Sequence, residues 1–395
     1  MSRTLQQSIS KLAGFPMTTR PRPTQPKKKR LDIRDVARHA NVSIATVSRT
    51  INRIPTVDKE LAKRVWKAIE GLNYYPNTQA RALVSGRSRI FGLLISEITN
   101  PFFPELIQGF ETVAVENGYD IMISSTNHDV ARMQTCVRRL LERNVEGVAV
   151  MTFGIEAPLL DELASRNVPL VFIDVGPANP HVSTLAVNYL EGIREGVQHL
   201  AALTHRDIAF VSGPLVQSSC QRRKEAFLSS LEEVGIVPQP ELLLEGDHTL
   251  EGGMRAAELL MKLKQLPTAV MCSNDMTAIG VLRTFANAGI RVPADVSVIG
   301  FDDIHLAEFV YPPLTTVHMS RTAIARAAFE ALRADVENRE PTSQERARAI
   351  GTKLTVRQST GFPRGTMENL KPRESSSASP SRVRSPASGV KRSRD

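Results

Sequence analysis

The stretch Asp32-Ile33-Arg34-Asp35-Val36-Ala37-Arg38-His39-Ala40-Asn41-Val42-Ser43-Ile44-Ala45-Thr46-Val47-Ser48-Arg49-Thr50-Ile51 decides how the front of this chain folds. Its apolar residues Ile33, Val36, Ala37 and Ala40 recur at i, i+3, i+4 and i+7, which is one face of a short helix. Asn41 tolerates the left-handed backbone that a tight interhelical turn needs. Ser43 then offers a side-chain oxygen to the first free N–H groups of a second helix. That helix starts at Ile44, buries Val47 and Ile51, and leaves small polar groups and Arg49 outside. Asp58 is placed to cap a third helix with Leu61, Val65, Ile69 and Leu72 on one stripe. Three short helices with so tight a turn between the first two predict a helix-turn-helix headpiece, whose second helix can enter the major groove of DNA.

Charge is divided unevenly around this segment. Residues 1–30 hold eight Lys/Arg and no Asp/Glu, 31–89 eleven against five, and 363–395 eight against three; the total is +9, so residues 90–362 carry a net −10. A basic front and tail thus flank an acidic body, which suits one end to a polyanion and leaves the body for another task. The arm, 1–30, mixes Pro21, Pro23 and Pro26 with Lys27, Lys28, Lys29 and Arg30, and the tail, 362–395, is rich in Ser and Arg. Both compositions predict disorder, with simple solvation as the plain alternative to a binding role. Met17 stands as an alternative start to Met1.

A length of 395 residues, 42% of them hydrophobic, suits two or three domains with ordinary cores. Cys136, Cys220 and Cys272 form no C-x-x-C pair, so neither a disulfide framework nor a cysteine metal site is signalled, and a reducing compartment fits. No apolar run approaches the roughly 20 residues that cross a bilayer, and no secretory leader is evident. A cytoplasmic protein without membrane contact is expected.

From residue 90 the pattern changes to short apolar runs alternating with amphipathic ones. Strands are predicted at 90–96, 120–125, 147–153, 169–175, 208–213, 269–273 and 296–301, and helices at 105–117, 133–144, 221–235, 252–263 and 276–288. Strands apolar on both faces and separated by such helices predict parallel sheets covered on both sides, in number enough for two doubly wound α/β lobes.

Several ordered motifs resemble one family. Asp35-Val36-Ala37, Ala40-Asn41-Val42-Ser43, Thr46-Val47-Ser48-Arg49, Ile51-Asn52, Leu72-Asn73-Tyr74, Pro76-Asn77 and Ala80-Arg81-x-Leu83 look like the headpiece and hinge of the LacI/GalR (lactose-repressor) family of bacterial transcription regulators. The likeness continues through Asn100-Pro101-Phe102-Phe103, Ser212-Gly213-Pro214, Ser273-Asn274-Asp275, Gly300-Phe301-Asp302-Asp303 and Pro312-Pro313-Leu314-Thr315-Thr316, so it spans 31 to about 361. Asn41 replaces the family's usual Gly and keeps access to positive φ. The resemblance implies a headpiece (31–76), a hinge helix and linker (77–89) and a periplasmic-binding-protein-like core (90–361), with the arm (1–30) and the tail (362–395) outside it. Within the core it implies an N-lobe of about 90–187 and 317–341 and a C-lobe of about 188–316 and 342–361.

What it implies functionally is a repressor that binds a pseudo-palindromic operator as a homodimer, or a tetramer, under control of a small molecule held between the lobes. Ile44 and Ala45 would face base edges and thymine methyls, and Arg49 a guanine. Ser43, Thr46, Ser48 and Asn52 suit phosphates. Tyr74, Asn77, Ala80 and Leu83 fall at further DNA-contacting positions, with Leu83 a wedge that kinks a base step from a hinge segment too short to be a stable helix alone. The structural alternatives are core packing for Ile44 and Leu83 and a phosphate contact for Arg49. For the effector the resemblance marks Arg223, Asn274 and Asp302, which can hold vicinal hydroxyls, with Phe102, Phe103 and His248 offering flat faces. A sugar is the preferred effector and a purine the alternative. A purely structural role, such as helix capping, is the plain alternative for Arg223, Asn274 and Asp302, and ordinary hydrogen bonding at a strand end that for His248.

Three other classes are weighed. An enzyme lacks its signals here: there is no G-x-G-x-x-G, no G-x-x-x-x-G-K-[ST], no G-x-S-x-G and no H-E-x-x-H, and no cofactor or metal is implied. A secreted sugar binder would lack the headpiece, and a sequence-indifferent nucleoid protein would show little dependence on DNA sequence.

Overall fold

The computed structural model describes residues 31–52, 54–75, 86–152, 157–174, 182–337 and 349–364. The basic arm, most of the tail and the segment carrying Asn77, Ala80 and Leu83 lie outside the described residues. The chain divides into two compact units, one ending at Gly86 and one beginning at Arg87.

In the first unit, α1 (Ile33–Ala40), α2 (Ile44–Ile51) and α3 (Lys59–Gly71) close on a small core of Val36, Ala37, Ala40, Val47, Val65 and Ala68. The local chemistry sets each boundary. Asp32 accepts from the N–H groups of Arg34 and Asp35 while Asp35 reciprocates onto Asp32, a capping box. Asn41 takes φ +51°, which turns the chain, and Ser43 Oγ accepts the Thr46 N–H at 3.0 Å to start α2. Asp58 caps α3 through Glu60 and Leu61. Arg64 of α3 reaches back to the carbonyls of Ala40 and Asn41 at 2.6 and 2.9 Å, so the turn is clamped from below.

The second unit holds two sheets. The first has the order β2 (Asp120–Ser125), β1 (Ile90–Ile95), β3 (Gly147–Met151), β4 (Leu170–Ile173), β5 (Val182–Leu185), all parallel. Its helices are α4 (Phe102–Glu116), α5 (Val130–Glu142) and α6 (Ala157–Ser165), joined later by α11 (Arg321–Val336), which packs on α4. The second sheet runs β11 (Thr352–Thr355), β10 (Thr315–Met319), β9 (Ser297–Asp302), β8 (Ala269–Cys272), β6 (Ile208–Ser212), β7 (Leu243–Glu245), with α7 (Tyr189–Ala202), α8 (Ser218–Glu233), α9 (Leu250–Met261) and α10 (Asp275–Asn287). Left-handed Gly118, Gly235 and Gly289 end α4, α8 and α10.

Four details correct the reading from sequence. The second sheet is not wholly parallel, because β11 pairs antiparallel with β10 at the edge. All of β10 belongs to that sheet, so the crossing expected at 317 comes after Met319. The linker does not run to 89: Arg87 pairs with Glu146 at 2.9 Å and donates to the Tyr119 hydroxyl at 2.7 Å, while the Arg89 N–H donates to Glu146 at 2.7 Å, which fixes these residues to the body. The body extends past 361, since Arg364 donates to the Leu266 carbonyl at 3.0 Å.

Candidate functional site

Two faces are candidates for function, one in each unit. In the headpiece the residues left over after core formation lie along α2. Ile44 is 46% exposed, and Ala45 and Arg49 are exposed beside it. Val47 and Thr50 point the other way and are buried, because their spacing puts them under the helix. Ser43, Thr46, Ser48 and Asn52 remain at least partly accessible, and Ser43 and Thr46 also bond each other at 2.9 Å. Tyr74 is half-buried and packs against the headpiece core, where burial raises its hydroxyl pKa. Trp66, on α3, is 45% exposed.

In the body a cleft of about 320 Å³ opens between the two sheets at their carboxyl ends, the place where doubly wound folds hold ligands. All six residues marked for the effector line it: Phe102, Phe103, Arg223, His248, Asn274 and Asp302. Phe102 and Phe103 stand not in a loop but in the first turn of α4, because Asn100 Oδ1 accepts the Phe102 N–H at 3.0 Å and Pro101 presets the helical φ. Their rings meet edge to face with centroids 5.5 Å apart.

Arg223 sits in the second turn of α8 rather than opening it, since that helix begins at Ser218. Its guanidinium lies between the rings of Tyr189 and Phe301, 4.7 and 4.4 Å from their centroids, and donates to the Ser273 carbonyl at 2.5 Å. Its Nε has no hydrogen-bond partner. Burial alone would drain its charge, but the fields of Tyr189 and Asp302 raise its pKa above the ordinary value. Asp302, 5% exposed, is pushed up to about 7 by burial against the pull of Arg223 and then Arg321. Its carboxyl is therefore poised to exchange a proton near neutrality.

His248 is partly open to the cleft, with its ring against Gly213, where any Cβ would overlap the imidazole. Nε2 bonds Ser273 Oγ at 3.0 Å, and burial followed by the Arg223 charge lowers the pKa to about 3, so the ring is neutral. The amide of Asn274 is engaged in structure: Oδ1 accepts the Thr277 N–H at 2.9 Å as the cap of α10, and Nδ2 donates to the His248 carbonyl at 2.9 Å.

Sequence reasoning missed other lining groups. Asp174, at the end of β4, takes the Tyr189 hydroxyl and is paired with Arg222 from the opposite lobe; burial raises its carboxyl. Its strand-end position was a usable signal, whereas nothing local marks Tyr189 or Arg222. Glu97 and His128 form a pair at 3.7 Å that lowers the carboxyl and raises the imidazole through their hydrogen bond. Among the described residues no His/Cys/Asp/Glu cluster suits a metal, and no helix is long and apolar enough to cross a membrane.

Residues 32–77 match the family model for bacterial regulatory proteins of the lacI family, and residues 197–360 match a periplasmic binding protein-like domain. The chain is 35% identical over 328 residues to the HTH-type transcriptional repressor PurR of Photobacterium profundum, covering 83% of this chain and 98% of that protein. It is 35% identical over 309 residues to PurR of Vibrio cholerae, covering 78% and 92%. Among solved structures it resembles the Lac repressor dimer bound to operator and the anti-inducer ONPF, with 28% identity, a TM-score of 0.74 and coverage of 84% of this chain and all of that one. The regulator CelR in complex with cellobiose matches at 28% identity and a TM-score of 0.62, again over 84% of this chain and all of that one.

Proposed function

The chain belongs to the LacI family of bacterial transcription regulators, whose members matched here are repressors rather than enzymes, and from that premise we propose that it represses transcription as a homodimer on a pseudo-palindromic operator, released or tightened by a small molecule in the cleft. The observation that carries the reading is α2, which keeps Ile44, Ala45 and Arg49 at the surface while a complete core closes behind them. Apolar contact to thymine methyls and a bidentate guanine contact are what such a face offers a major groove. Lys27 to Arg30, next to α1 in sequence, add phosphate contacts without specificity. A protein that reads an operator works where the chromosome is, in the cytoplasm.

For the effector we propose an uncharged sugar. The basic groups lining the described cleft already face carboxylates: Arg223 lies in the field of Asp302 and His128 pairs with Glu97, while Arg222, behind the lining, is taken up by the cleft's Asp174. An anionic ligand finds no spare positive charge there. A polyol instead donates hydroxyl protons to carboxylate oxygens and lays its C–H side on Phe102 and Phe103. A purine base is the second reading, favoured by the same two rings together with the neutral imidazole of His248.

The test is titration calorimetry on the full chain with neutral mono- and disaccharides against purine bases, followed by operator binding with and without the ligand that binds. Asp302→Asn is expected to weaken a sugar by at least about 1.5 kcal/mol, because a ligand hydroxyl then loses a charged acceptor, while ligand-free operator affinity stays the same. Only the ionised carboxylate accepts from two hydroxyls. Since burial places its pKa at about 7, affinity should be full above pH 7 and fall toward tenfold per pH unit below it, a slope that Asp302→Asn removes. Tight binding of a purine and of no sugar would overturn the sugar assignment.

A further inference from the structure

The carboxylate of Asp302 enters the cleft from a strand end with an unusual backbone. Asp302 has φ +109° and Asp303 φ +56°, angles that residues with a Cβ keep only when their surroundings over-determine them. Arg321, the first residue of α11, supplies that constraint. Its Nη1 donates to the Asp302 carbonyl at 2.5 Å and its Nη2 to the Asp303 carbonyl at 2.7 Å. The Nε of the same guanidinium pairs with Glu105 Oε2 at 2.8 Å, and Glu105 Oε1 accepts the His305 N–H at 2.9 Å.

Glu105 belongs to α4, the N-lobe helix whose first turn carries Phe102 and Phe103. Asp302 closes β9 of the C-lobe. One guanidinium and one carboxylate therefore join the strand end that holds the cleft's acid to the helix that holds its aromatic rings. Neither Arg321 nor Glu105 lines the cleft, so neither is placed to touch a ligand. Arg321 and Glu105 keep 15% and 27% of their side chains exposed, enough shelter for a planar fork to hold its geometry.

We propose that Arg321 is a positioning residue for Asp302, and that through Glu105 it keeps this carboxylate in register with Phe102 and Phe103 across the cleft. The proposal rests on the reading that Asp302 meets the effector, and it extends that reading to residues outside the site. The charged groups facing Asp302 come from four elements. Arg223 on α8 and Arg321 on α11 favour its ionised form, Glu105 on α4 opposes it, and on α10 the carboxyl of Asp275 is raised well above the ordinary carboxylate range by burial first and by the Asp302 charge second. Removing Arg321 therefore loosens two carbonyls and withdraws a nearby positive charge in one step. Removing the charge of Glu105 has the opposite electrostatic sign but frees the same clamp.

The test uses the full chain without ligand, labelled with carbon-13 at aspartate carboxyls, with the Asp302 signal assigned by its loss in Asp302→Asn. Arg321→Met should raise the Asp302 titration midpoint by about half a pH unit or more, Glu105→Gln should lower it, and Arg321→Lys should restore most of the wild-type value. In Arg321→Met the His305 N–H, which Arg321 does not touch, should exchange at least about tenfold faster, because its acceptor Glu105 is no longer held. An unmoved midpoint in both Arg321→Met and Glu105→Gln, or unchanged His305 exchange, would overturn the proposal. If Arg321→Met does not fold, Glu105→Gln alone decides by the direction of its shift. Calorimetry with neutral sugars on the same variants separates the two readings: a shifted midpoint with no sugar bound by the wild type keeps the clamp and removes the effector assignment.

Discussion

The headpiece and the body keep their functional groups in opposite surroundings. In the headpiece six small residues make the core, and the groups proposed to meet bases, Ile44, Ala45 and Arg49, stand in water. In the body Arg223, Asn274 and Asp302 are at most 7% exposed, and each is engaged by neighbours from distant parts of the chain. A reader whose contacts wait at the surface loses affinity, and little else, when one is removed. A sensor whose charges are buried against one another loses stability as well, because the partner left behind stays desolvated.

Three substitutions test this contrast, and a convenience of the sequence separates their effects: Trp66, the single tryptophan, lies in the headpiece, so its fluorescence follows that unit while circular dichroism is dominated by the body. The largest effect is expected from Arg223→Ala, which strips the cation from beside Asp302 and from between Tyr189 and Phe301. The dichroism transition in urea should lose about 3 kcal/mol while the Trp66 transition stays in place; equal shifts in both would break the contrast. Next comes Arg49→Ala, expected to weaken operator binding by about 1–3 kcal/mol and to relax preference at one base pair per half-site, with both unfolding transitions unchanged. Losses that are uniform over all sequences in a binding selection would reduce Arg49 to a phosphate contact. The smallest is Ser43→Ala, which removes the cap of α2 and should take about 1 kcal/mol from the Trp66 transition alone. A headpiece as stable without that hydroxyl would show that the clamp of Arg64 on the Ala40 and Asn41 carbonyls suffices to hold the turn.

The same contrast explains what was legible in the sequence. In the headpiece the deciding interactions span two to four residues, so Asn41, Ser43 and Asp58 could be assigned from their own neighbours, and each adopts the predicted turn or cap. In the body the strongly apolar strands were readable, but β5, β7, β10 and β11 were not, because Val-Ser-Thr-Leu, Leu-Leu-Glu, Thr-Thr-Val-His-Met and Thr-Lys-Leu-Thr are short or partly polar. Resemblance brought Arg223, His248 and Asn274 to one cleft. It did not mark Asp174, paired with a residue 48 positions away, or Glu105, whose partner His305 is 200 positions away. Contacts at such separations leave no period or spacing to read.

The late return of the chain to both lobes has a consequence for synthesis. The first sheet is covered by α11, residues Arg321–Val336, and the second is completed by β10 and β11, the last ending at Thr355. The headpiece, by contrast, has all three helices by Gly71. A growing polypeptide therefore finishes its DNA-reading unit early, whereas the first half of the ligand cleft waits for Val336 and the second for Thr355. Any stop codon between 90 and 320 would release a reader that has no sensor to command it.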